Sequence, residues 1–356
     1  MRLLHIADLH IRCSPTSDDR FDEYRTVFRR LVDRVRCQSV DACLIAGDAF
    51  HSKYKCSARG AELFGWLVGE LSELFPVYVL AGNHDFQQED PTSPDLVTAV
   101  LGDSRDNVYV MNETSTYKCG RLSFSVVTVQ DALEAGATRG HSSKLPPFPR
   151  DPSAEFSVAA FHGPVSYSRL PNGTDLRDGV PASWFAGFDA VLLGDIHAPQ
   201  VHRATLAYRD RTTSRWTWEE GAGPWGYCGS TIQQNFGEPI FGHGFMVWDL
   251  AEREVTHFHV DNDHGFADAY FGDGKWKVQL GDNEFVDKDS PILPRSLQFR
   301  VKSETGRFER ASLAESPAIR QVQSPVPDID VAAYLASSQH FDDEWKIAED
   351  LSRSSF

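Results

Sequence analysis

The sequence lacks any apolar run long enough to cross a bilayer, any paired cysteine spacing and any excess of basic charge. A membrane-spanning helix needs about 20 predominantly apolar residues in a row, and the first residues read as a strand, not as a cleavable signal. The expectation is an intracellular protein, cytoplasmic or nuclear, with no membrane contact. Six cysteines (Cys13, Cys37, Cys43, Cys56, Cys119 and Cys228) are scattered without a C-x-x-C pair. Neither a disulfide framework nor a zinc ribbon is indicated. The formal charge of −16 excludes a general basic coat for phosphate backbones. It does not exclude nucleic acid, because carboxylates gathered around cations account for part of it and a basic strip can persist on an acidic chain.

What is present is a repeated pattern. Leu44-Ile45-Ala46-Gly47-Asp48-Ala49-Phe50-His51 is an apolar run that ends in glycine, carboxylate and, three residues on, histidine. Comparable runs lead into Asp8 and His10, into Gly82-Asn83-His84-Asp85, into His162, and into Gly194-Asp195-Ile196-His197. Each reads as a buried strand that delivers a metal-capable side chain at its end. With 356 residues, 41% of them hydrophobic, the chain can bury one large core or a large and a small one.

The spacing of Phe21, Tyr24, Phe28, Leu31 and Val35 predicts a helix whose opposite face carries Arg25, Arg29, Arg30 and Arg34. Those arginines read as a solvated face. A second helix is predicted after Ser57, with Phe64, Leu67, Val68, Leu71 and Leu74 inward and Pro76 closing it. Strands at 1–8, 41–46 and before Gly82 make this β-α-β-α-β, so an α/β sandwich flanked by helices is expected. Further on, a short helix is expected over 94–101, strands over 108–111, 122–129, 156–161 and 189–193, and a surface loop over 131–155, which is rich in Gly, Ser and Pro. Arg215-Trp216-Thr217-Trp218-Glu219 alternates as a strand, with the tryptophans read as packing, and 245–250 with 254–260 reads as a hairpin. The expected organisation is a domain over 1–262, a linker over 263–290 and a small cap domain over 291–356, in which only 296–302 and 328–350 read as structured.

Ligands in open α/β sheets collect at the carboxyl ends of strands, where loops converge. Asp8, His10, Asp48, Asn83, His162, Asp195 and His197 would supply seven oxygen and nitrogen ligands suited to Mn²⁺, Fe²⁺ or Zn²⁺. Asp8-x-His10, Gly47-Asp48, Gly82-Asn83-His84-Asp85, His162-Gly163 and Gly194-Asp195-Ile196-His197 resemble the five motifs of the calcineurin-like metallophosphoesterases, in order. Gly47-Asp48-Ala49-Phe50-His51, and the segment from Tyr227 to Glu238 followed by 244–250, are similar to the Mre11/SbcD DNA-repair nucleases, especially those of large bacteriophages and similar viruses.

The resemblance implies a metallophosphoesterase sandwich with a C-terminal cap. It implies one cation on Asp8, His10, Asp48 and His197 and another on Asp48, Asn83, His162 and Asp195. Asp195 stands where cellular members have histidine, and an anionic oxygen ligand favours Mn²⁺ or Mg²⁺. His84 is the expected general acid, with Asp85 orienting its ring and His51 positioning strand or phosphate. The implied activity is exonuclease and endonuclease cleavage of DNA ends in repair or recombination. The implied partners are DNA, an ABC-type ATPase of the Rad50/SbcC kind and a second copy of the chain, with 331–351 leading toward the ATPase-binding segment. Arg295, Arg300, Lys302, Arg307 and Arg310 form the one basic strip, placed where the cap would contact the DNA backbone. A phosphatase or small-molecule phosphodiesterase on the same fold, and a non-catalytic DNA-end-binding scaffold, are the alternative readings. His5 reads as a core histidine. His257 and His259 share one strand face with no third ligand in sight.

Overall fold

Along the first strand, β1 (Arg2–Ile6), side chains alternate between two apolar environments, and this period of two sets up the whole architecture. The computed structural model describes residues 1–12, 20–52, 56–86, 93–102, 104–136, 145–208, 213–272, 275–281 and 284–302. From β1 the chain runs through α1 (Phe21–Arg36), β2 (Ala42–Ala46), α2 (Ala58–Ser72), β3 (Val77–Leu80) and α3 (Leu96–Leu101). It continues through β4 (Ser104–Arg105), β5 (Val108–Val110), β6 (Thr116–Cys119), β7 (Leu122–Val126), α4 (Val129–Glu134), β8 (Phe156–His162) and β9 (Ala190–Gly194). After these come β10 (Gln200–His202), β11 (Thr205–Tyr208), β12 (Thr213–Thr217), β13 (Trp225–Tyr227), β14 (Gly244–Asp249) and β15 (Glu254–His259).

Two sheets result. One has the order β11-β12-β15-β14-β1-β2-β3-β5-β4 and the other β10-β13-β9-β8-β7-β6. β1, β2, β3 and β5 pair in parallel, as do β7, β8, β9 and β13. Leu3, Ala42, Leu44 and Ala46 from the first sheet meet Phe124, Val158, Ala160 and Leu192 from the second in an inner core. The alternate residues Leu4, Ile6, Cys43 and Ile45 pack outward against Tyr24, Phe28, Leu31, Phe64 and Leu67 of α1 and α2. On the far side Ala159, Phe161, Val191 and Leu193 bury against Phe148, Val165 and Phe185. The expected sandwich flanked by helices is therefore present, and parallel strands on both sides aim their carboxyl ends at one edge.

Several details differ from expectation. Leu74 is 38% exposed because α2 ends at Ser72, two residues before it. Arg30 and Arg34 are not merely solvated. Their guanidinium Nη1 atoms donate to the carbonyls of Asp261 and His259 at 2.9 and 2.7 Å, and Arg34 lies over the Phe258 ring, so α1 holds the end of β15. The stretch 131–155 is not all surface loop. Val129–Glu134 is α4, capped by Thr128, and Phe148 is buried between Trp184, Phe185 and Phe188. The aromatic ring among the prolines turns that segment into a cover for the second sheet.

One compact unit spans Met1–Asn262, and a second begins at Asp263. The linker expected over 263–290 is instead built into that unit, as β16 (His264–Gly272), β17 (Lys275–Gly281) and β18 (Glu284–Asp287). With β19 (Ser296–Lys302) they form a four-stranded sheet ordered β18-β17-β16-β19. Buried Ala267, Ala269, Val278 and Leu297 supply its apolar face, whereas the Asp/Gly/Pro content that suggested a linker falls largely between strands. The region 331–351 lies outside the described residues.

Candidate metal centre

The centre is assembled first by backbone. Asp8 N–H donates to Gly47 O, His10 N–H to Asp48 O and Ile11 N–H to Ala49 O, at 3.1, 2.9 and 2.9 Å, so the loops after β1 and β2 zip together. Asp8, His10, Asp48 and Asp195 all have positive φ, at 52°, 44°, 52° and 104°. Non-glycine residues rarely take that conformation, and a cluster of such sites marks a loop geometry that the surrounding packing imposes. Two glycines let the loops approach. A Cβ on Gly82 would sit 2.2 Å from Asp48 Oδ1, and one on Gly194 would sit 1.9 Å from Ala46 O.

Seven predicted ligand residues converge at this edge. His10 Nε2 faces His197 Nε2 at 3.0 Å and Asp48 Oδ2 at 3.4 Å. His162 Nε2 lies 3.3 Å from Asp48 Oδ1 and 3.9 Å from Asp195 Oδ1, while its Nδ1–H donates to Ala46 O at 2.8 Å. Asp195 N–H donates to both Asp8 oxygens, and His84 N–H donates to Asp48 Oδ1. Asp8, His10 and His197 group within metal-binding reach of one another, and so do Asp8, Asp48 and His162. The buried Asn83 Oδ1 has no hydrogen-bond partner in the protein.

Electrostatics favour a cation here. Burial raises Asp8 to about 7 against the pull of His197 and His162, and burial also raises Asp195. For Asp48 burial is outweighed by His162 and His10, which hold it far below the carboxylate range. Burial opposes charge on His162 and His197, yet Asp48 drives the first well up and Glu238 with Asp8 raises the second to about 9. Raised carboxylates and raised imidazoles thus hold protons where bound cations would otherwise neutralise the cluster. Buried oxygen and imidazole donors, an orphaned amide oxygen and two facing Nε2 atoms fit a pair of divalent ions. Asp8, His10, Asp48 and His197 would hold one, and Asp48, Asn83, His162 and Asp195 the other.

The remaining predicted site residues fall differently. His84 lies at the centre, edge-on to His10 with ring centroids 4.9 Å apart, and its Nδ1 pairs with the backbone carbonyl of His51 at 2.8 Å. The His51 ring stacks beside it at 5.9 Å. Asp85 does not orient the His84 ring. Its carboxylate is fully buried and accepts from the backbone N–H groups of Ala49, Phe50 and Gly82, bracing the two loops against each other. Among the basic strip, Arg300 is engaged with Asp268 on the neighbouring strand at 2.6 and 2.9 Å, and Arg295 is exposed. The Lys302 side chain, Arg307 and Arg310 lie outside the described residues. His257 and His259 touch edge to face and join no candidate metal group among the described residues.

Sequence reasoning missed the brace behind the centre. Tyr24 O–H donates to His10 O, Gln234 Nε2 to Leu9 O, and Arg20 to Gln233 O and the Glu23 carboxylate. Glu238 Oε1 accepts from His197 Nδ1 at 2.7 Å. The sequence signals were the resemblance of the Tyr227–Glu238 segment as a whole and, within it, the polar run Gln233-Gln234-Asn235, in which both glutamines are buried although polar.

Residues 1–199, over half of the chain, match the calcineurin-like phosphoesterase family. The chain belongs to that family. That membership accords with the candidate metal groups described above. An uncharacterised protein of Acanthamoeba polyphaga mimivirus is 27% identical over 304 residues, 82% of this chain and 20% of its own. The DNA double-strand break repair protein Mre11 of Methanopyrus kandleri is 27% identical over 227 residues, 58% of this chain and 48% of its own. The chain thus spans less than half the length of each of these two relatives. A solved dimetal phosphatase from Danio rerio aligns over 80% of this chain and 98% of its own, at 11% identity and a TM-score of 0.40.

Proposed function

We propose that the chain is a DNA nuclease of the Mre11/SbcD type, hydrolysing phosphodiester bonds at DNA ends with two Mn²⁺ or Mg²⁺ ions. The observation that carries this reading is the pairing of His51 with His84. The Gly47-Asp48-Ala49-Phe50-His51 pattern, which resembles Mre11-type nucleases, here places the His51 carbonyl on His84 Nδ1 and the His51 ring beside it. Similarity to the M. kandleri repair protein supports the same substrate class.

When bound, the two cations supply water activation and neutralise charge on the phosphate oxygens. His84 is the general acid. A proton on Nδ1 would be held by the His51 carbonyl, which leaves Nε2 as the atom that faces the departing sugar oxygen. Asp85 acts at a distance by holding the Asp48 and Asn83 loops in register through the Ala49, Phe50 and Gly82 amides. Processing of DNA ends in repair or recombination, assembly with a Rad50/SbcC-like ABC-type ATPase and pairing with a second copy of the chain belong to the same proposal. Its test is cleavage of end-labelled single- and double-stranded DNA in Mn²⁺ and in Mg²⁺, beside His84→Ala. Metal-dependent cleavage that disappears in a variant still loaded with metal supports the nuclease. Turnover of a small phosphodiester or phosphomonoester with intact DNA would replace it with a phosphatase.

A further inference from the structure

Behind His197 lies a carboxylate that the proposed reaction does not use. Glu238 is 6% exposed and sits on the loop between β13 and β14, forty-one residues from the histidine it touches. Its Oε1 lies 2.7 Å from His197 Nδ1 and accepts weakly from Asn235 Nδ2 at 3.3 Å. Its Oε2 accepts from Gln234 N–H at 2.8 Å and from Ser230 O–H at 3.2 Å, and Ser230 in turn contacts His243 Nδ1 at 2.9 Å. A buried carboxylate is costly unless its lone pairs are occupied. These four partners occupy them and leave the carboxylate little freedom to rotate.

We propose that Glu238 is a positioning residue that fixes His197 as the Nδ1–H tautomer, aiming its Nε2 lone pair at the cation shared with Asp8, His10 and Asp48. An imidazole coordinates through one nitrogen only if the proton sits on the other, and a carboxylate on Nδ1 both selects that tautomer and raises the basicity of Nε2. The facing arrangement of His197 Nε2 and His10 Nε2 at 3.0 Å is the geometric result. The same loop carries Gln234, whose side-chain amide donates to Leu9 O beside His10. One segment therefore touches the His197 ring directly and the backbone that carries His10. Loss of Glu238 should strike that cation and spare the one assigned to Asn83, His162 and Asp195. The inference rests on the two-cation reading of the centre and not on the choice of DNA as substrate.

The test is calorimetric titration of the metal-free full chain with MnCl₂, on wild type, Glu238→Ala, Glu238→Gln, His197→Ala and the Glu238→Ala/His197→Ala double variant. The expected result is two ions in the wild type, with one weakened roughly 10- to 100-fold in Glu238→Ala. Glu238→Gln, which keeps an acceptor oxygen for Nδ1–H, should recover part of that loss. The double variant should bind no more weakly than His197→Ala, because Glu238 acts through His197. Equal affinities in wild type and Glu238→Ala, or losses that add in the double variant, overturn the proposal. A wild type that binds no ion overturns the two-cation reading itself. Ring ¹⁵N shifts of His197 in the metal-free wild type, read above the pH of about 9 at which the ring gives up its second proton, give an answer that needs no folded variant: Nδ1–H supports the proposal, and Nε2–H defeats it.

Discussion

Asp85 shows how a residue can belong to a motif and yet act behind it. Its neighbour His84 reaches the centre, whereas its own carboxylate turns inward onto three backbone amides. Asp85→Asn places an N–H₂ group among donors, and each buried amide left without an acceptor costs about 1–3 kcal/mol. Urea unfolding is expected to show a loss of that order or more, with activity falling because the loops separate. Unchanged stability would mean that the carboxylate is not the brace. The titrating groups of the centre lead to a second expectation. Without metal, Asp8 is raised to about 7 and His197 to about 9, so both bind protons at neutral pH that a cation must displace. Mn²⁺ affinity should therefore rise with pH up to about 9, by up to tenfold per pH unit for each displaced proton, more steeply below about 7, where both protons are displaced, than between about 7 and 9, where only that of His197 remains. Titrations in buffers of different ionisation enthalpy should show that release, and a pH-independent affinity would refute it. Every ligand candidate was legible in the sequence because its type and position at a strand end carry the chemistry. Glu238 was legible only as the end of the Tyr227–Glu238 segment; its contact with His197 was not, since a loop residue's partner has no pattern until the fold brings the two together.

At the scale of elements, the helix α1 was legible and its duties were not. Periodicity identified Tyr24, Phe28, Leu31 and Val35 as buried, and they are. The same periodicity assigned the arginines to solvent, because a pattern of exposure says nothing about what chain passes alongside. Arg25 and Arg29 are exposed, but Arg34 caps the His259 carbonyl and covers Phe258. Arg34→Ala is expected to cost about 1–2 kcal/mol from a charge-assisted hydrogen bond and a cation–π contact. Arg25→Ala and Arg29→Ala should stay within about 0.5 kcal/mol. Denaturant midpoints for the three variants decide the matter, and equal effects would return the whole face to solvent. The cap of α2 was readable outright: Ser57 accepts from Gly60 N–H, as a serine before a helix should.

The whole molecule divides where composition changes, but composition misled about the second unit. Asp, Gly and Pro residues after Asp261 suggested a linker. The short alternating runs between them form a sheet of their own, with Arg300 tied to Asp268 across paired strands. Strand signals of four to nine residues are easily hidden by the turn residues that separate them. All three apolar clusters of the first unit are drawn from residues before Asn262, and so are the candidate metal ligands. A chain ending at Asn262 is therefore expected to fold cooperatively and to bind Mn²⁺ with the stoichiometry of the full protein, measured by thermal unfolding and calorimetry. Its DNA affinity supplies the complementary observation. If residues beyond 262 contact phosphates, the slope of binding against salt concentration will be shallower for the shortened chain, by roughly one counterion for each phosphate that is no longer neutralised. Arg295→Ala in the full chain should then reproduce part of that change, because Arg295 is exposed, whereas Arg300→Ala should act chiefly on the stability of the second sheet. Identical salt slopes for the full and shortened chains would remove the second unit from DNA binding and leave the metal face to hold the strand alone.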